Sequence, residues 1–390
     1  MTDRLPLRRR LGVRLERGRL INRATPLSPW RHGAAPPVRP PATLRIADPA
    51  EALTLARATI GGRDEVLLIT SYADGEARGV VVPRAPEATR WDAVAAFGVR
   101  RYDGLSRLLA GEVREVSVAV DSLRIPLLAD EHHMAIGTNY PEHGKETSVD
   151  KAFLFPKIVR PTGPRSRLEV RPGLLDHEVE LALVSLGPVC DGDRPEHMGL
   201  VLANDFTDRE VQLTRCDLRD ITSGVGFAEA KSEPGFLPVG DLLVIPADWR
   251  RFYRTLTIEL LVDDRVRQIG RPRDMLWDAD EILAQVMKAA GRQWRVHGRP
   301  VPITARPGVI APRTIILTGT PDGVVLRRPT RGQVAQGLVR WLLGGGRGTP
   351  AEAVVALSIA DAHRSGTYLH AGQRVESRAD LLGRIVVDLD

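Results

Sequence analysis

Short apolar runs dominate the chain after about residue 130, and their spacing predicts β-strands. The runs are rich in β-branched residues, and Gly and Pro turns separate them. The clearest are Met134–Gly137, Leu181–Leu186, Leu242–Ile245, Leu256–Val262 and Thr314–Thr318. We therefore predict an α+β, β-rich chain whose main domain covers residues 129–390.

The segment before this domain has a mixed pattern. Residues 43–128 contain three strand-like runs and two amphipathic helical patterns, which predicts a small N-terminal α+β domain. The strand-like runs are Val66–Thr70, Gly79–Val82 and Val116–Val120, and the helical patterns are Pro49–Ile60 and Trp91–Ala96. Residues 1–42 are rich in Arg and Pro and are predicted to form an irregular arm.

Helical patterns return in two places within the main domain. Asp278–Ala290 has an apolar stripe, and Asp278 or Asp280 can cap it. Residues 326–366 contain helix-like runs at Gln333–Leu343 and Ala351–Ala362 with a glycine-rich stretch between them. This pattern predicts an inserted helical hairpin.

The basic charge of the chain is mostly arginine. The 390 residues carry a net charge of +6 and have a pI of about 9.7, but only five of the 55 basic residues are lysines. The arginines are spread along the chain, and no aromatic interleaving or binding module accompanies them, so a nucleic-acid partner is not favoured. A lysine that is retained in such a chain points to chemistry, because its pKa can be tuned.

Two cysteines, Cys190 and Cys216, exclude a disulfide framework and fit a reducing compartment. No apolar run approaches the roughly 20 residues that cross a bilayer, and the Arg-rich start lacks the apolar region of a signal peptide. We expect no membrane association and a cytoplasmic location.

Two glutamates alternate in a strand-like segment. Glu178 and Glu180 point to the same face of a strand, where their charges repel. An isolated Glu-x-Glu sequence is more often a solvent-facing pair of side chains on an edge strand. In apolar surroundings, however, two carboxylates are tolerated when a cation lies between them.

A third carboxylate, Asp205, follows the apolar run that begins at Leu200. It could complete a ligand set or cap a turn through residues 208–212. Three carboxylates without a His/Cys cluster suit Mg²⁺, Mn²⁺ or Ca²⁺ and not Zn²⁺.

His143 and Glu146 are three residues apart and would face each other on one helical turn. Such a pair can take a proton from water. An isolated H-x-x-E is more often a surface pair, and the neighbouring His132 and His133 are interpreted as structural.

Taken in order, these segments resemble the fumarylacetoacetate hydrolase family over roughly residues 130–325. The matching motifs are Gly137-Thr-Asn-Tyr140, His143-x-x-Glu146, Phe155-x-Lys157, Asp176-x-Glu178-x-Glu180, Asn204-Asp205-x-x-x-Arg209-x-x-Gln212, Lys231 and Leu317-Thr-Gly-Thr320-Pro-x-Gly-Val324. The resemblance resumes at residues 369–386.

The resemblance implies a rolled mixed β-sheet domain, usually a homodimer, that uses a divalent cation. It implies that Glu178, Glu180 and Asp205 bind Mg²⁺ or a similar ion (Mn²⁺ or Ca²⁺), and that His143 and Glu146 activate water. Lys231 would stabilise developing negative charge. The positions that match the substrate pocket are Tyr140, Lys157, Arg209, Gln212 and Thr320.

The expected reaction is hydrolysis of a C–C bond in an acylpyruvate-like or β-diketo acid, in a catabolic or biosynthetic pathway. A 2-oxo acid decarboxylase, an isomerase or hydratase, and a cyclase use the same scaffold. A non-catalytic protein that binds a ligand or partner is the alternative of another class. The sequence departs from the family pattern in three places: Ile158 after Lys157, Pro312-Arg313 in place of Gly-Asp, and the insertion at 326–366. The insertion and the long N-terminal region indicate a specialised member.

Overall fold

Twenty-one strands and eight α-helices make up the described part of the chain. The structure is a computed structural model that describes residues 44–73, 75–111 and 114–390. The arm predicted at residues 1–42 lies outside the described residues. The strands are β1 (Ala52–Ile60), β2 (Arg63–Ala73), β3 (Glu76–Val81), β4 (Glu115–Ala119), β5 (His132–Gly137), β6 (Phe153–Ile158), β7 (Arg165–Leu168), β8 (Leu175–Asp176), β9 (Val179–Val184), β10 (Val189–Cys190), β11 (Gly199–Asn204), β12 (Thr207–Asp208), β13 (Leu243–Pro246), β14 (Ile258–Val262), β15 (Arg265–Gly270), β16 (Gln293–Val296), β17 (Arg299–Pro302), β18 (Val309–Ile310), β19 (Ile315–Leu317), β20 (Arg374–Ala379) and β21 (Gly383–Leu389).

The helices are short except for three. They are α1 (Ala93–Ala110), α2 (Pro141–Thr147), α3 (Arg209–Arg215), α4 (Phe227–Lys231), α5 (Trp249–Phe252), α6 (Ala279–Lys288), α7 (Arg331–Leu343) and α8 (Pro350–Ser365). The α+β, β-rich fold class is therefore confirmed. None of the helices in the described ranges combines the length and apolar character needed to cross a bilayer.

One ten-stranded sheet runs through the molecule in the order β4-β3-β2-β1-β13-β11-β9-β19-β5-β6. Its strands pair antiparallel except β19 and β5, which are parallel, so the sheet is mixed as expected. A second sheet has the order β15-β14-β20-β21-β7 and packs against the first through a largely aliphatic core.

The strands of residues 44–128 continue the main sheet. β1 pairs with β13, and Leu53 lies opposite Ile245. The two predicted segments therefore pack within one compact unit, while the boundary proposed at residue 128 stays a prediction.

The helix predicted at Pro49–Ile60 is wrong, because Ala52–Ile60 is the buried strand β1. Glu51 and the Ala and Leu residues of the predicted segment favour helices locally. However, β1 lies between β2 and β13, and pairing on both sides outweighs this preference. The predicted strands at Val66–Thr70, Gly79–Val82 and Val116–Val120 are confirmed as parts of β2, β3 and β4, with ends that differ by up to three residues.

The other helix predictions are confirmed. Asp92 caps α1 and Asp278 caps α6. The segment 326–366 contains the antiparallel helices α7 and α8, each of which begins with a capping box.

Candidate metal and acid–base site

Neighbouring strands bring the three predicted ion ligands together. Glu178 directly precedes β9, Glu180 lies in β9, and Asp205 directly follows β11. β9 and β11 pair so that Glu180 lies opposite Ala203, and the Asp205 amide donates to the Glu178 carbonyl oxygen at 2.8 Å. Since β9 is an internal strand, the solvent-facing edge interpretation is excluded.

The three carboxylates form a buried cluster. Glu178, Glu180 and Asp205 are each at most 5% exposed, and one oxygen from each lies within 4.8 Å of the others. The turn-cap interpretation of Asp205 is wrong, because Asp208 accepts the first amide hydrogen bonds of α3. The structure therefore brings the three predicted carboxylates together, and their binding of an ion stays a prediction.

The charge around the cluster is uneven. Burial alone would raise the pKa of Glu178, but Lys231 and Arg209 outweigh it and lower that pKa to about 2. Burial, followed by the like charges of Asp205 and Glu178, raises the pKa of Glu180 well above its ordinary value. The Glu180 carboxylate accepts a hydrogen bond from the Gly319 amide at 2.6 Å. Glu180 is thus the carboxylate whose charge is least compensated.

Two of the five lysines lie beneath the cluster. Lys231 Nζ donates to Glu178 at 2.6 Å, to Asp205 at 2.8 Å and to the Thr207 hydroxyl at 2.7 Å. Lys157 Nζ donates to the other Asp205 oxygen at 2.6 Å. Burial lowers the pKa of Lys157, whereas Asp205 and Glu178 outweigh burial and raise that of Lys231. All three hydrogens of the Lys231 ammonium therefore have acceptors on the protein.

Arg209 joins the cluster to a fourth carboxylate. Its guanidinium donates to Glu178 at 2.5 Å, to Asp176 at 2.8 Å and to the Gln212 side-chain oxygen at 2.7 Å. Asp176 also accepts from the amides of Val325 and Leu326. Arg209 and Gln212 lie in the site as predicted, where they orient Glu178. Their contact with substrate stays a prediction.

The predicted acid–base pair lies on α2. His143 Nδ1 donates to Glu146 Oε2 at 3.2 Å, and both residues are buried. The surface-pair interpretation is therefore wrong. The Gly323 amide donates to Glu146 and the Gly319 amide of the same loop donates to Glu180, so the pair and the acidic cluster lie against one loop.

Two glycines of the Leu317–Val324 loop supply amides to the functional carboxylates. Gly319 donates to Glu180 and Gly323 to Glu146, and both have a positive φ, +98° and +107°. A Cβ on Gly323 would lie 2.1 Å from the Arg267 carbonyl oxygen. The loop therefore requires glycine at both positions. Thr320, predicted to line the pocket, donates its hydroxyl to Val179 O at 3.0 Å.

Tyr140 lines an open cavity of about 400 Å³ together with Arg271 and Asp274. The phenol is 4% exposed, and among the described residues its hydroxyl has no hydrogen-bond partner. Burial, then the charges of Glu180 and Asp274, raises its pKa. Tyr140 thus lies in the wall of this cavity, and its contact with substrate stays a prediction.

Two contributing residues were not predicted. Gln268, fully buried in β15, accepts from the Val179 amide and donates to Thr320, which ties β9 to the glycine loop. Arg327 donates to the buried Glu146 at 2.6 Å. Neither residue belongs to a motif, and each reaches the site only through the tertiary fold.

The residues fit a hard divalent cation. Oxygen donors alone meet at the cluster, and carboxylates are the ligands that Mg²⁺ and Mn²⁺ prefer. Burial and the like charges of Asp205 and Glu178 raise the pKa of Glu180, and a cation bound among the three carboxylates would compensate this unfavourable charge. The buried acidic triad could therefore hold a divalent metal ion.

Comparison with known proteins agrees with this fold. Residues 132–389 match the family described as fumarylacetoacetate (FAA) hydrolase C-terminal. The chain is 29% identical over 205 residues to the mitochondrial oxaloacetate tautomerase FAHD2 of Arabidopsis thaliana, covering 49% of this chain and 79% of the relative.

Solved structures share the fold. The fumarylacetoacetate hydrolase of Exiguobacterium antarcticum superposes with a TM-score of 0.53 at 20% identity, covering 87% of this chain and 99% of the other. The 2-hydroxyhepta-2,4-diene-1,7-dioate isomerase of Mycobacterium marinum superposes with a TM-score of 0.51 at 16% identity, covering 86% of this chain and 98% of the other.

The ordered motifs, the mixed sheet and the match over residues 132–389 define the class of this protein. The chain belongs to the fumarylacetoacetate hydrolase family, a family of enzymes.

Proposed function

We propose that the protein is a divalent-cation-dependent hydrolase that cleaves a C–C bond in an acylpyruvate-like or β-diketo acid. The observation that carries the proposal is the buried His143–Glu146 pair beside the acidic cluster of Glu178, Glu180 and Asp205. A cation held by the cluster would supply positive charge to the two chelating oxygens of a 2-oxo acid.

The protein's own groups account for the proton transfers. In the tautomer in which Nδ1 donates to Glu146, Nε2 of His143 is the ring nitrogen that can accept a proton from water. The hydroxide adds to the distal carbonyl, the C–C bond breaks, and its electron pair passes into the 2-oxo acid fragment as an enolate. The imidazolium then protonates the enolate at the carbon where the bond broke. This step gives a 2-oxo acid and a carboxylic acid, and restores His143.

The cations of the site have a supporting role in this proposal. Lys231 and Arg209 hold the Glu178 carboxylate in place, and Lys157 holds Asp205. Their direct contacts are with protein oxygens, so we assign them to orientation of the ion ligands and to compensation of buried charge. Tyr140 is proposed to contact the substrate, because its hydroxyl is unpartnered beside the cavity.

Keto–enol tautomerisation of a 2-oxo acid is the second candidate, and the oxaloacetate tautomerase relatives favour it. The chemistry of this candidate needs a proton transfer but no water addition. Product analysis separates the two candidates, because hydrolysis gives two fragments and tautomerisation gives none.

The test uses a panel of acylpyruvates and oxaloacetate with Mg²⁺ or Mn²⁺, with products followed by NMR. His143→Ala and Glu178→Ala should each lower turnover by about 10²–10⁴-fold, while His297→Ala, at an exposed position, should not. Unchanged turnover in both site variants would refute the assignment. Absence of any turnover, together with absence of cation-dependent thermal stabilisation, would favour a non-catalytic binding protein.

A further inference from the structure

Helix α2 carries both members of the acid–base pair but is only seven residues long. A helix of this length is marginal in water, so contacts with other elements decide its position. α2 ends at Ser148, which has a left-handed backbone conformation. The contacts that fix α2 therefore also fix the geometry of His143 and Glu146.

The first residues of the inserted segment contact this helix. Arg327 donates to Glu146 Oε1 at 2.6 Å, and Arg328 donates to the Ser148 hydroxyl at 3.3 Å. The Glu146 side chain is fully buried, whereas the Arg327 side chain is half exposed. Because its acceptor is a buried carboxylate, the Arg327 bond is charge-assisted and stronger than an exposed ion pair.

Other contacts anchor the segment on the opposite side of the site. The amides of Val325 and Leu326 donate to Asp176, the carboxylate that also binds Arg209. Near the end of α8, His363 lies 2.7 Å from Glu210 of α3, the helix that begins with Arg209. Residues 325–363 are thus attached both to the acid–base helix and to the elements that orient Glu178.

We propose that the segment 326–366 is a strap that holds α2 in its working position, with Arg327 as the positioning residue for the Glu146 carboxylate. The catalytic part of this inference rests on the proposed function of the His143–Glu146 pair. Arg327 acts through Glu146: it fixes the carboxylate that in turn orients the imidazole.

The test compares Arg327→Gln, which removes the charge, with Arg327→Lys, which keeps it. Arg331→Gln is the matched control, because Arg331 is exposed at the start of α7. Amide hydrogen exchange of residues 141–147 reports the position of α2 without any substrate. Steady-state kinetics with an acylpyruvate and Mn²⁺ report its effect on turnover.

We expect Arg327→Gln to speed exchange in α2 by about tenfold, because a charge-assisted bond is lost, and to lower kcat by about tenfold or more with little change in KM. Arg327→Lys should fall between this variant and the parent. Low concentrations of guanidinium ion should restore part of the kcat of Arg327→Ala, which loss of structure alone would not allow.

Parent-like exchange in Arg327→Gln, or equal effects in Arg331→Gln, would overturn the strap. Faster exchange with unchanged kcat would overturn the role of Arg327 in positioning the catalytic pair. If the parent turns over no substrate, the proposed function fails by itself, and exchange in α2 still decides whether the strap exists.

Discussion

We expect ion binding to depend most directly on Glu180, because its charge is the least compensated of the three carboxylates. Glu180→Gln keeps an oxygen that can accept from the Gly319 amide but removes the charge. The parent, freed of metal by a chelator, should gain about 2.7 kcal/mol of stability at a Mn²⁺ concentration 100 times Kd. Glu180→Gln should gain little, as measured by thermal unfolding with and without Mn²⁺.

The control for this measurement is Glu196→Gln, since the Glu196 side chain is 90% exposed. It should respond to Mn²⁺ as the parent does. An undiminished response in Glu180→Gln would show that the ion, if bound, is held elsewhere.

His133 makes stability depend on pH. Burial, then the charges of Lys157 and His132, lowers its pKa from 6.5 to about 3. The unfolded chain therefore binds more protons between those values, so stability is lost as the pH falls below 6.5, by up to about 1.4 kcal/mol per pH unit.

His133→Asn tests this dependence. The Asn side-chain oxygen can replace Nδ1 as acceptor for the Ile315 amide. In denaturant unfolding, we expect the free energy of unfolding of His133→Asn to fall less between pH 6.5 and 5 than that of the parent. A difference in stability at pH 7.5 does not affect this comparison, because only the slopes are compared. The exposed substitution His297→Asn should keep the parent slope, and an equal slope in His133→Asn would contradict the assignment.

Much of the site was accessible from the sequence because its residues lie in short motifs. The alternation of Glu178 and Glu180 and the spacing of His143 and Glu146 translate directly into shared faces of a strand and a helix. Gln268 and Arg327 could not be found in this way, because 89 residues separate Gln268 from its partner Val179 and 181 separate Arg327 from Glu146.

At the scale of elements, the loop after β19 depends on its glycines. Gly319→Ala would place a Cβ 2.7 Å from the Asn139 Cβ and force a positive φ on alanine. We expect a loss of more than about 2 kcal/mol and a weaker response to Mn²⁺, because the amide that binds Glu180 moves.

Gly366→Ala is the comparison for Gly319→Ala. Gly366 also has a positive φ, but a Cβ there would meet nothing within 4 Å. Gly366→Ala should lower the free energy of unfolding by only about 1 kcal/mol and should leave the stabilisation by Mn²⁺ unchanged. Equal costs measured by urea unfolding would mean that the close contact with Asn139 relaxes freely.

The elements predicted from hydrophobic periodicity and capping residues agree with the structure where the local preference of the chain and its tertiary packing coincide. α6, α7 and α8 have capping residues and apolar stripes in the sequence. β1 was mistaken for a helix, since its position between two strands is a property of the whole sheet.

At the scale of the whole molecule, a partly buried ion pair joins the N-terminal segment to the family domain. Arg313, one of the departures noted in the sequence, donates to both oxygens of Asp92 at 2.6 and 2.9 Å. Asp92 also caps α1 and accepts from the Leu128 amide.

Asp92→Asn should therefore cost about 3 kcal/mol, because it leaves Arg313 without its buried partner. If the shared sheet makes folding cooperative, calorimetry should show one transition that moves to lower temperature. Asp130→Asn, which breaks the exposed pair with Arg90, should cost less than about 1 kcal/mol. Two separate transitions would instead support independent domains divided near residue 128. The homodimer and the cytoplasmic location remain predictions, and sedimentation would test the former.

The scarcity of lysine has a practical consequence for chemical labelling. Lys157 and Lys231 are buried beneath the acidic cluster, whereas Lys145, Lys151 and Lys288 are exposed. Reagents that acylate amines can therefore reach only those three side chains, apart from the chain terminus. The enzyme can be coupled to a surface or a fluorophore through them while the ammonium groups of the site stay unmodified.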